Sequence, residues 1–378
     1  MKHTVQKRIC AVLTASLLTA SFAALQVSAK DFVPSEVNAK HEYRYNLLLG
    51  TNINVDSCVS RSDWQDYLYD PTRGIKVIDT MVDPHDPFKT IQPRIDNVLR
   101  TYGGSYEFNE TGICCLANME RTYDYFKGLG YTPSQPVYAA VNSESAISSS
   151  SRTDKREEAK CTSVNGSPVL MFGIGSADTA KESATYFQGC DLDIVTHEYM
   201  HMITCTRFGW EYGNLETQAL GEAYSDIMAE LRQTNPDWKV AADSYIKNRQ
   251  RGNKAYCLRD LADPSRTNCP ELPNNYNFTT YPEMQASSRS VTPGECSTVI
   301  SHAAYLMYQK GLTAETLRKI WFASLDYLNP ATASNATFAD CKTAVCAAAL
   351  DYFRANGGRY YMSGYLTVMD AFYEVGLE

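Results

Sequence analysis

The spacing of hydrophobic residues changes near residue 190. Before that point, short apolar runs alternate with segments such as 70–74 and 83–87, and this punctuation is typical of strands joined by turns. A helical pattern runs from Ile95 to Leu129, and the stretch from Val169 to Ile174 predicts a short strand. The Ser-rich and then charged stretch from Asn142 to Lys160 predicts an exposed loop.

After residue 190, apolar residues recur at three- and four-residue spacings, which predicts amphipathic helices. Helices are expected near 191–206, 217–234, 297–310, 314–328, 337–355 and 364–375. The sequence therefore predicts an α+β protein with a strand-rich N-terminal lobe over 30–190 and a helical C-terminal lobe over 191–378. We expect the helix near 191–206 to form the junction between the two lobes.

The first 29 residues form a segment of a different kind. Basic residues at the start precede a largely apolar stretch from Ile9 to Leu25, and small residues at 27–29 precede a cut after Ala29. This pattern predicts a secretory signal peptide over 1–29 and a secreted protein, with an uncleaved membrane anchor as the alternative. No later segment has the roughly 18–20 apolar residues of a membrane helix, so we expect no anchor after the signal is removed.

Composition narrows the classes of function. A chain of 378 residues is long enough for two lobes that share a cleft. With 44% hydrophobic and 21% charged residues and a mean hydropathy of -0.34, it is typical of a soluble globular protein. The net charge of -8 argues against nucleic acid as a partner, because phosphate binding needs a basic face.

The cysteines agree with export. Of 12 cysteines, Cys10 would leave with the signal, so the remainder is odd and at least one thiol stays unpaired. Cys341 with Cys346, and Cys257 with Cys269, are close enough in sequence to be candidate pairs, although connectivity cannot be deduced from sequence. A zinc site at residues 114–115 lacks the usual paired spacing.

The helix predicted near 191–206 carries the pattern His-Glu-x-x-His at residues 197–201. Because residues four apart lie on one face of a helix, His197 and His201 can both reach one metal ion. Glu198 then lies beside that ion, where its carboxylate can take a proton from a metal-bound water. The alternative is a pair of surface histidines on a solvated helix. The presence of a third ligand would favour the metal site over this alternative.

Glu222 is the predicted third ligand. It lies in the helix predicted near 217–234, whose periodicity places Asp226 on the same face. A second helix packed against the first would present Glu222 to zinc and Asp226 to the far nitrogen of a ligating histidine. Catalytic zinc commonly takes three protein ligands, such as two histidines and a glutamate, and leaves its fourth position for water. Each acidic residue alone would be a solvated charge, but together they favour a metal site.

Two segments resemble the zinc-binding helices of the thermolysin family of zinc metallopeptidases. They are Asp193-Ile194-Val195-Thr196-His197-Glu198, followed by His201, and the segment 216–227 around Gly221-Glu222-Ala223-Tyr224-Ser225-Asp226. The resemblance covers about residues 60–378, through segments at 67–74, 117–127, 235–238, 258–264, 302–306 and 370–376. It implies a two-lobed α+β fold with zinc in the cleft between the lobes. It also implies peptide-bond hydrolysis by one zinc ion and an activated water, without a covalent enzyme intermediate.

The same resemblance implies roles for further residues. Tyr212 matches a tyrosine that helps to hold the developing oxyanion, and Arg259 matches an arginine that contacts a backbone carbonyl of bound substrate. Ile194 and Leu258 match positions near the pocket for the side chain after the cut, which in this family prefers bulky apolar groups. Without the resemblance, the alternative for Tyr212 is that it is one of 26 tyrosines and packs a loop. The alternative for Arg259 is a surface ion pair with an acidic residue.

Three positions depart from the family pattern. Gly294 stands where the family has a histidine that stabilises the tetrahedral intermediate, and losing such a donor costs about 10²–10³ in rate. Gly221 stands in place of an asparagine that supports the second zinc histidine, with an expected loss of roughly 10–100-fold in metal affinity. The family's edge-strand motif for the substrate backbone is not visible at residues 161–163, so the sequence does not explain how substrate is aligned.

A calcium site and a pro-region are also family features. Asp193 and Asp237 are kept and Glu230 is a candidate to join them, but Lys239 and Ala242 stand where carboxylates are expected. Ca²⁺ is therefore only weakly predicted. About thirty residues separate the predicted signal cut from the first matching segment, so no long pro-region is expected.

Two classes of function follow from these observations. The first is a secreted zinc metalloendopeptidase that acts on proteins or peptides, with reduced activity expected from Gly294. The second is a zinc-retaining binding protein with weak or no catalysis, which Gly294 and the missing edge-strand motif favour. A structural protein without metal is the third alternative. The natural substrate and the oligomeric state cannot be deduced from the sequence.

Overall fold

The computed structural model describes residues 42–45, 52–55, 59–60, 66–79, 110–143, 159–164, 166–173, 188–242, 257–267, 276–356 and 361–378. The predicted signal at 1–29, most of the predicted loop at 142–160, the start of the predicted helix at 95–129, and Cys269 lie outside these residues. Within the described residues, no helix combines the length and the apolar character needed to cross a bilayer.

The N-terminal part contains nine described strands. They are β1 Glu42–Tyr45, β2 Asn52–Val55, β3 Val59–Ser60, β4 Asp66–Tyr67, β5 Tyr69–Asp70, β6 Ile75–Asp79, β7 Val137–Ser143, β8 Ala159–Val164 and β9 Ser167–Gly173. The first four form two antiparallel pairs, and the rest form a sheet of five strands in the order β5-β6-β7-β9-β8. The three central strands run parallel, while β5 and β8 run antiparallel at the two edges.

The central strands are buried on both faces. Val137, Ala139 and Val141 of β7 belong to the main core, whereas Tyr138 and Ala140 point to the opposite face and join a smaller cluster there. A strand with two buried faces has a nearly continuous apolar sequence, as β7 and β9 do. The predicted strand at 169–174 corresponds to β9.

The helices dominate the second half of the chain. They are α1 Glu110–Gly128, α2 Leu192–Phe208, α3 Leu215–Leu231, α4 Tyr281–Ala286, α5 Pro293–Gln309, α6 Ala314–Ser324, α7 Phe338–Asn356 and α8 Tyr361–Glu374, and a short hairpin of β10 Lys239–Val240 and β11 Arg259–Asp260 lies between α3 and α4. A helix lies at each of the predicted positions after residue 190. The short α4 was not predicted, because one and a half turns are too few for periodicity to show.

Helix α2 lies between the two halves of the molecule. Its N-cap Asp191 accepts hydrogen bonds from the backbone N–H groups of Asp193 and Ile194, and it ends at Gly209, whose φ of 68° is in the left-handed region. Helix α1 packs along one side of α2, and α3 packs along another. Thr122 of α1 lies 3.2 Å from Thr196 of α2 between their hydroxyl oxygens. Both faces of α2 are therefore held by neighbouring helices.

One pair predicted from the cysteine spacing is wrong. Cys341 and Cys346 both lie on α7 with free thiols, and Cys341 Sγ instead lies 3.8 Å from Tyr224 Oη. Two Cα atoms five residues apart on a helix are separated by roughly 8–9 Å, which exceeds the reach of a disulfide.

The start of α5 is held by a buried carboxylate. Glu295 completes a capping box with the N-cap Thr292, and its two oxygens lie 3.0 and 3.1 Å from Arg289 Nη1. The backbone N–H of Tyr276 also donates to Glu295, at 3.0 Å. Burial by itself would raise the pKa of Glu295, but Arg289 and these N–H donors outweigh it and lower the pKa. The ionised carboxylate therefore stabilises the fold.

We expect Glu295→Gln to lower the free energy of unfolding at neutral pH by about 1–3 kcal/mol, because it removes charged hydrogen bonds. A carboxyl with a lowered pKa contributes stability above its unfolded pKa and loses it as the pH falls through its folded pKa. The difference between variant and wild type should therefore shrink in acid. Denaturant unfolding at neutral pH and near pH 3 measures it, with the surface variant Glu374→Gln as control. An unchanged difference in acid would contradict this role.

Candidate metal centre

The two histidines of the His-Glu-x-x-His pattern meet on one face of α2. They lie one turn apart, and their Nε2 atoms are 2.9 Å from each other. His197 is buried, while His201 is half-buried and lines the same cavity. The helix therefore presents two ring nitrogens to a single point.

Glu222 reaches that point from α3. Its Oε2 lies 3.5 Å from His197 Nε2, and its Oε1 lies 3.3 Å from His201 Nε2. We call His197, His201 and Glu222 the metal triad. Tetrahedral zinc with bonds of about 2.0–2.1 Å separates its ligand atoms by about 3.3–3.4 Å, and the distances in the triad lie around that value. Within the described residues, only the triad gathers three metal-ligating groups whose ligand atoms all lie within 4.8 Å of one another.

The charge around the triad favours a cation. Burial lowers the pKa of His197, but the nearby carboxylates of Asp226 and Glu222 outweigh it and raise this pKa to about 10. Burial would raise the pKa of Glu222, yet His201 and His197 hold it well below its usual range. The surroundings that attract a proton to the site also attract a metal ion. Two imidazoles and one carboxylate form the donor set that catalytic zinc takes in proteins, so the residues fit zinc.

Asp226 and Arg259 form a buried layer behind the triad. Asp226 Oδ1 lies 2.9 Å from His197 Nδ1, where it can orient the imidazole. Arg259 donates to both oxygens of Asp226, at 2.6 and 2.7 Å, and to Glu222 Oε2 at 3.3 Å. Burial would raise the pKa of Asp226, but Arg259 and His197 lower it. The guanidinium of Arg259, predicted to contact substrate, thus also connects Asp226 to the triad.

Glu198 lies beside the triad without belonging to it. Its side chain is 5% exposed and lines the cavity that contains the triad. The backbone N–H of Cys161 in β8 donates to the carboxyl group, while Oε2 has no hydrogen-bond partner among the described residues. Burial raises the pKa of Glu198, and the two histidines oppose that effect. One carboxyl oxygen is therefore free to bind a water molecule or substrate.

The cavity has a volume of about 410 Å³ and two kinds of wall. Ile194, Val240 and Leu258 give an apolar side, and Leu258 is 41% exposed, so it is accessible from solvent. Edge strand β8 forms another side, through Ala159, Lys160 and Cys161. The position of β8 shows that an edge strand borders the cavity although its sequence lacks the family motif.

Not all predicted residues face the cavity. Tyr212 lies in a 3₁₀ turn at Trp210–Tyr212, and its side chain is 85% exposed, whereas its neighbours Trp210 and Glu211 line the cavity. The role of Tyr212 therefore stays a prediction. Sequence analysis missed Cys205, which also lines the cavity. Its position four residues after His201, on the same helical face, is the signal that could have found it.

The two glycines that depart from the family pattern both adjoin the site. Gly221 adjoins His201, since a Cβ atom on Gly221 would lie 3.7 Å from His201 Nδ1. Because glycine has no side chain, this position provides no hydrogen bond to that imidazole. A Cβ atom on Gly294 would lie 3.2 Å from Arg259 Nη1. A guanidinium therefore occupies the space next to the position where the family has a histidine.

Arg232 lies among the acidic residues of the weakly predicted calcium site. Its Nη2 lies 3.3 Å from Asp193 Oδ1, and Glu230 Oε2 accepts a hydrogen bond from the backbone N–H of Trp238 at 2.8 Å. Burial, together with the charges of Asp193 and Asp237, raises the pKa of Glu230 well above its usual range. Calcium binding stays a prediction.

Comparison with known proteins agrees with the fold. Residues 210–377 match the family described as thermolysin metallopeptidase, alpha-helical domain. The chain is 29% identical over 186 residues to gelatinase from Enterococcus faecalis, a stretch that is 48% of this chain and 32% of that protein. The chain thus spans about a third of the length of that relative.

The fold is similar to that of the precursor of protealysin, a metalloproteinase from Serratia proteamaculans. The TM-score is 0.58 at 18% identity, and the likeness covers 80% of this chain and 87% of that one. The predicted α+β class, with a helical C-terminal lobe, is confirmed. The lobe boundaries near residue 190 stay a prediction.

We expect Asp226→Asn to weaken zinc binding by roughly 10–100-fold, because an amide no longer orients the His197 imidazole as a carboxylate does. The measurement is a competition titration of the purified protein against a zinc chelator of known affinity. Asp370→Asn, a change at an exposed carboxylate paired with Lys310, is the control and should bind zinc as the wild type does. Equal affinity of wild type and Asp226→Asn would show that Asp226 does not support the triad.

Proposed function

We propose that this chain, a member of the thermolysin-like family of metallopeptidases, is a zinc-dependent endopeptidase that hydrolyses peptide bonds with a metal-activated water. The observation that supports it most is the buried carboxyl of Glu198, which lies beside the triad and keeps one oxygen unpartnered among the described residues. A purely structural zinc site saturates its ligands and has no use for such a group.

The roles of the residues follow from their positions. The metal triad would hold zinc, and bound zinc would supply Lewis-acid chemistry, which lowers the pKa of a water and polarises a carbonyl. Glu198 would accept a proton from the attacking water and pass it to the leaving nitrogen, because its carboxyl lines the cavity with one oxygen unpartnered among the described residues. Asp226 holds the His197 ring in place, and Arg259 holds Asp226 and Glu222. Since Asp226 is fully buried, this scaffold is shielded from solvent.

The cavity supports an extended peptide as substrate. β8 lies at the edge of the five-stranded sheet, so its outer backbone groups can pair with a peptide that adds as a further strand. The apolar wall of Ile194, Val240 and Leu258 suits a bulky apolar side chain after the cut. Arg259 lines the cavity, which supports a contact between its guanidinium and a substrate carbonyl. For Tyr212, a role on the oxyanion requires its exposed side chain to turn towards the metal.

The proposed setting is extracellular. The segment 1–29 has the organisation of a secretory signal, and the acidic net charge of -8 suits protein substrates better than nucleic acid. Proteins and peptides are therefore the proposed partners.

The expected effect of Glu198→Gln is a loss of at least about 10²–10⁴-fold in the cleavage of a casein-like substrate, because an amide cannot accept the proton from water. Zinc content should stay at the wild-type value, since Glu198 is not a ligand. Metal analysis and a cleavage assay on the same preparations measure both quantities, with Glu374→Gln as control. Wild-type protein that holds one zinc per chain and cleaves nothing would overturn the proposal and favour a zinc-retaining binding protein.

Removal of the metal tests the triad itself. Dialysis against a strong chelator should abolish cleavage, and added Zn²⁺ should restore it, because no described protein group can replace the Lewis acid. Glu222→Gln should lose both metal and activity, which distinguishes it from Glu198→Gln. Full activity after verified removal of metal would contradict the proposal.

A further inference from the structure

Cysteines lie near the two ends of helix α2, and each end packs beside an element of the N-terminal part that carries another cysteine. Cys190 directly precedes the N-cap Asp191, and Cys205 lies in the last turn of α2. The neighbours are Cys114 of α1 and Cys161 of β8. None of these residues has a role in the proposed hydrolysis, although two of them line the cavity.

The pair at the start of α2 lies in the core. Cys114 is fully buried, Cys190 is almost so, and their side chains are in hydrogen-bonding contact. The register is fixed by a neighbouring bond, because Asn118, one turn after Cys114 on α1, donates from Nδ2 to the carbonyl of Gly189 at 3.2 Å. The two sulfurs are therefore held together by the packing of α1 on α2.

The pair at the end of α2 lies at the cavity. Cys161 and Cys205 both line it, and β8 packs directly on α2. Burial raises the pKa of the Cys161 thiol, and the neighbouring Cys205 adds to that rise. The two thiols therefore lie on adjacent elements that border the same cavity. The backbone N–H of the same Cys161 donates to Glu198.

We propose that Cys114–Cys190 and Cys161–Cys205 are disulfide sites that fasten both ends of the metal-binding helix to the N-terminal part. Thiols in pairs have two main uses, disulfides and metal binding. Metal binding is not favoured here, since the triad alone brings three ligating groups together among the described residues. Disulfides are the chemistry of proteins exported to oxidising compartments, so this inference shares the export step of the proposed function.

All four cysteines carry reduced thiols in this structure, so each crosslink would form by thiol–disulfide exchange. An external disulfide, such as oxidised glutathione, is the oxidant: two cysteine thiols lose two protons and two electrons, a new S–S bond forms, and the donor S–S bond breaks to give two thiols. The first crosslink would fix α1 on the start of α2. The second would fix edge strand β8 beside Glu198, and so would set the distance between the substrate edge and the catalytic carboxylate.

The test is peptide mapping of the full-length mature protein, incubated with oxidised glutathione or with dithiothreitol and then alkylated. A protease that cuts at Glu198 separates Cys190 from Cys205 and allows each crosslink to be assigned. We expect both linked peptides in the oxidised sample only. The thermal midpoint should be roughly 3–10 °C higher in the oxidised than in the reduced protein, because crosslinks restrict the unfolded chain.

Serine variants have matched controls in the same chain. Cys114→Ser should abolish the first crosslink, whereas Cys115→Ser, at the adjacent and equally buried thiol, should keep it. Cys205→Ser should abolish the second, whereas Cys346→Ser on α7 should keep it. Thiols that remain alkylatable after oxidation, or that pair with other cysteines such as Cys115, would overturn the corresponding crosslink.

The mapping needs neither zinc nor activity, so its outcome is independent of the peptidase proposal. If the protein cleaves protein substrates, reduction should also lower the cleavage rate several-fold in wild type and leave Cys205→Ser insensitive. An equal effect of reduction on wild type and on Cys205→Ser would show that the second crosslink does not act on the site. An inactive protein with both crosslinks present would contradict the peptidase proposal and support the disulfide proposal.

Discussion

The site depends on the packing of α3 against α2. Each helix has only part of a metal centre: α2 provides two imidazoles one turn apart, and α3 provides one carboxylate. The distances of 3.3 and 3.5 Å between Glu222 and the two histidines exist only while the helices stay in register. Because both helices are buried along most of their length, the hydrophobic core that stabilises the fold also sets the geometry of the triad.

Such a site carries charge into a region of low dielectric constant, where each ionised group needs a partner. The structure meets this need with alternating charges: Arg259 lies against Asp226, Asp226 against His197, and His197 against Glu222. Glu198 is not part of this series: burial raises its pKa, and one of its oxygens has no hydrogen-bond partner among the described residues. A costly unpartnered group next to a complete set of metal ligands is typical of functional sites.

The sequence predicted those parts of the molecule that repeat locally. Helical periodicity located α2 and α3, and the four-residue spacing placed His197 and His201 on one face. Contacts between distant segments could not be predicted in the same way. The hydrogen bond from the Cys161 backbone N–H to Glu198 depends on how β8 docks on α2, which no local pattern encodes. Proximity in sequence also gave a wrong prediction, the pair Cys341 with Cys346, because two residues five positions apart on one helix are too distant for a disulfide.

Edge strand β8 has a consequence for solubility. A strand that leaves backbone groups open for a peptide leaves them open for another copy of the same strand as well, and exposed edges of this kind promote aggregation. Lys160 is the second residue of β8, and its side chain is exposed. A charged side chain on an open edge disfavours pairing of two identical strands, since like charges would meet. Lys160 therefore leaves the edge available to peptides of other sequence and disfavours aggregation through β8.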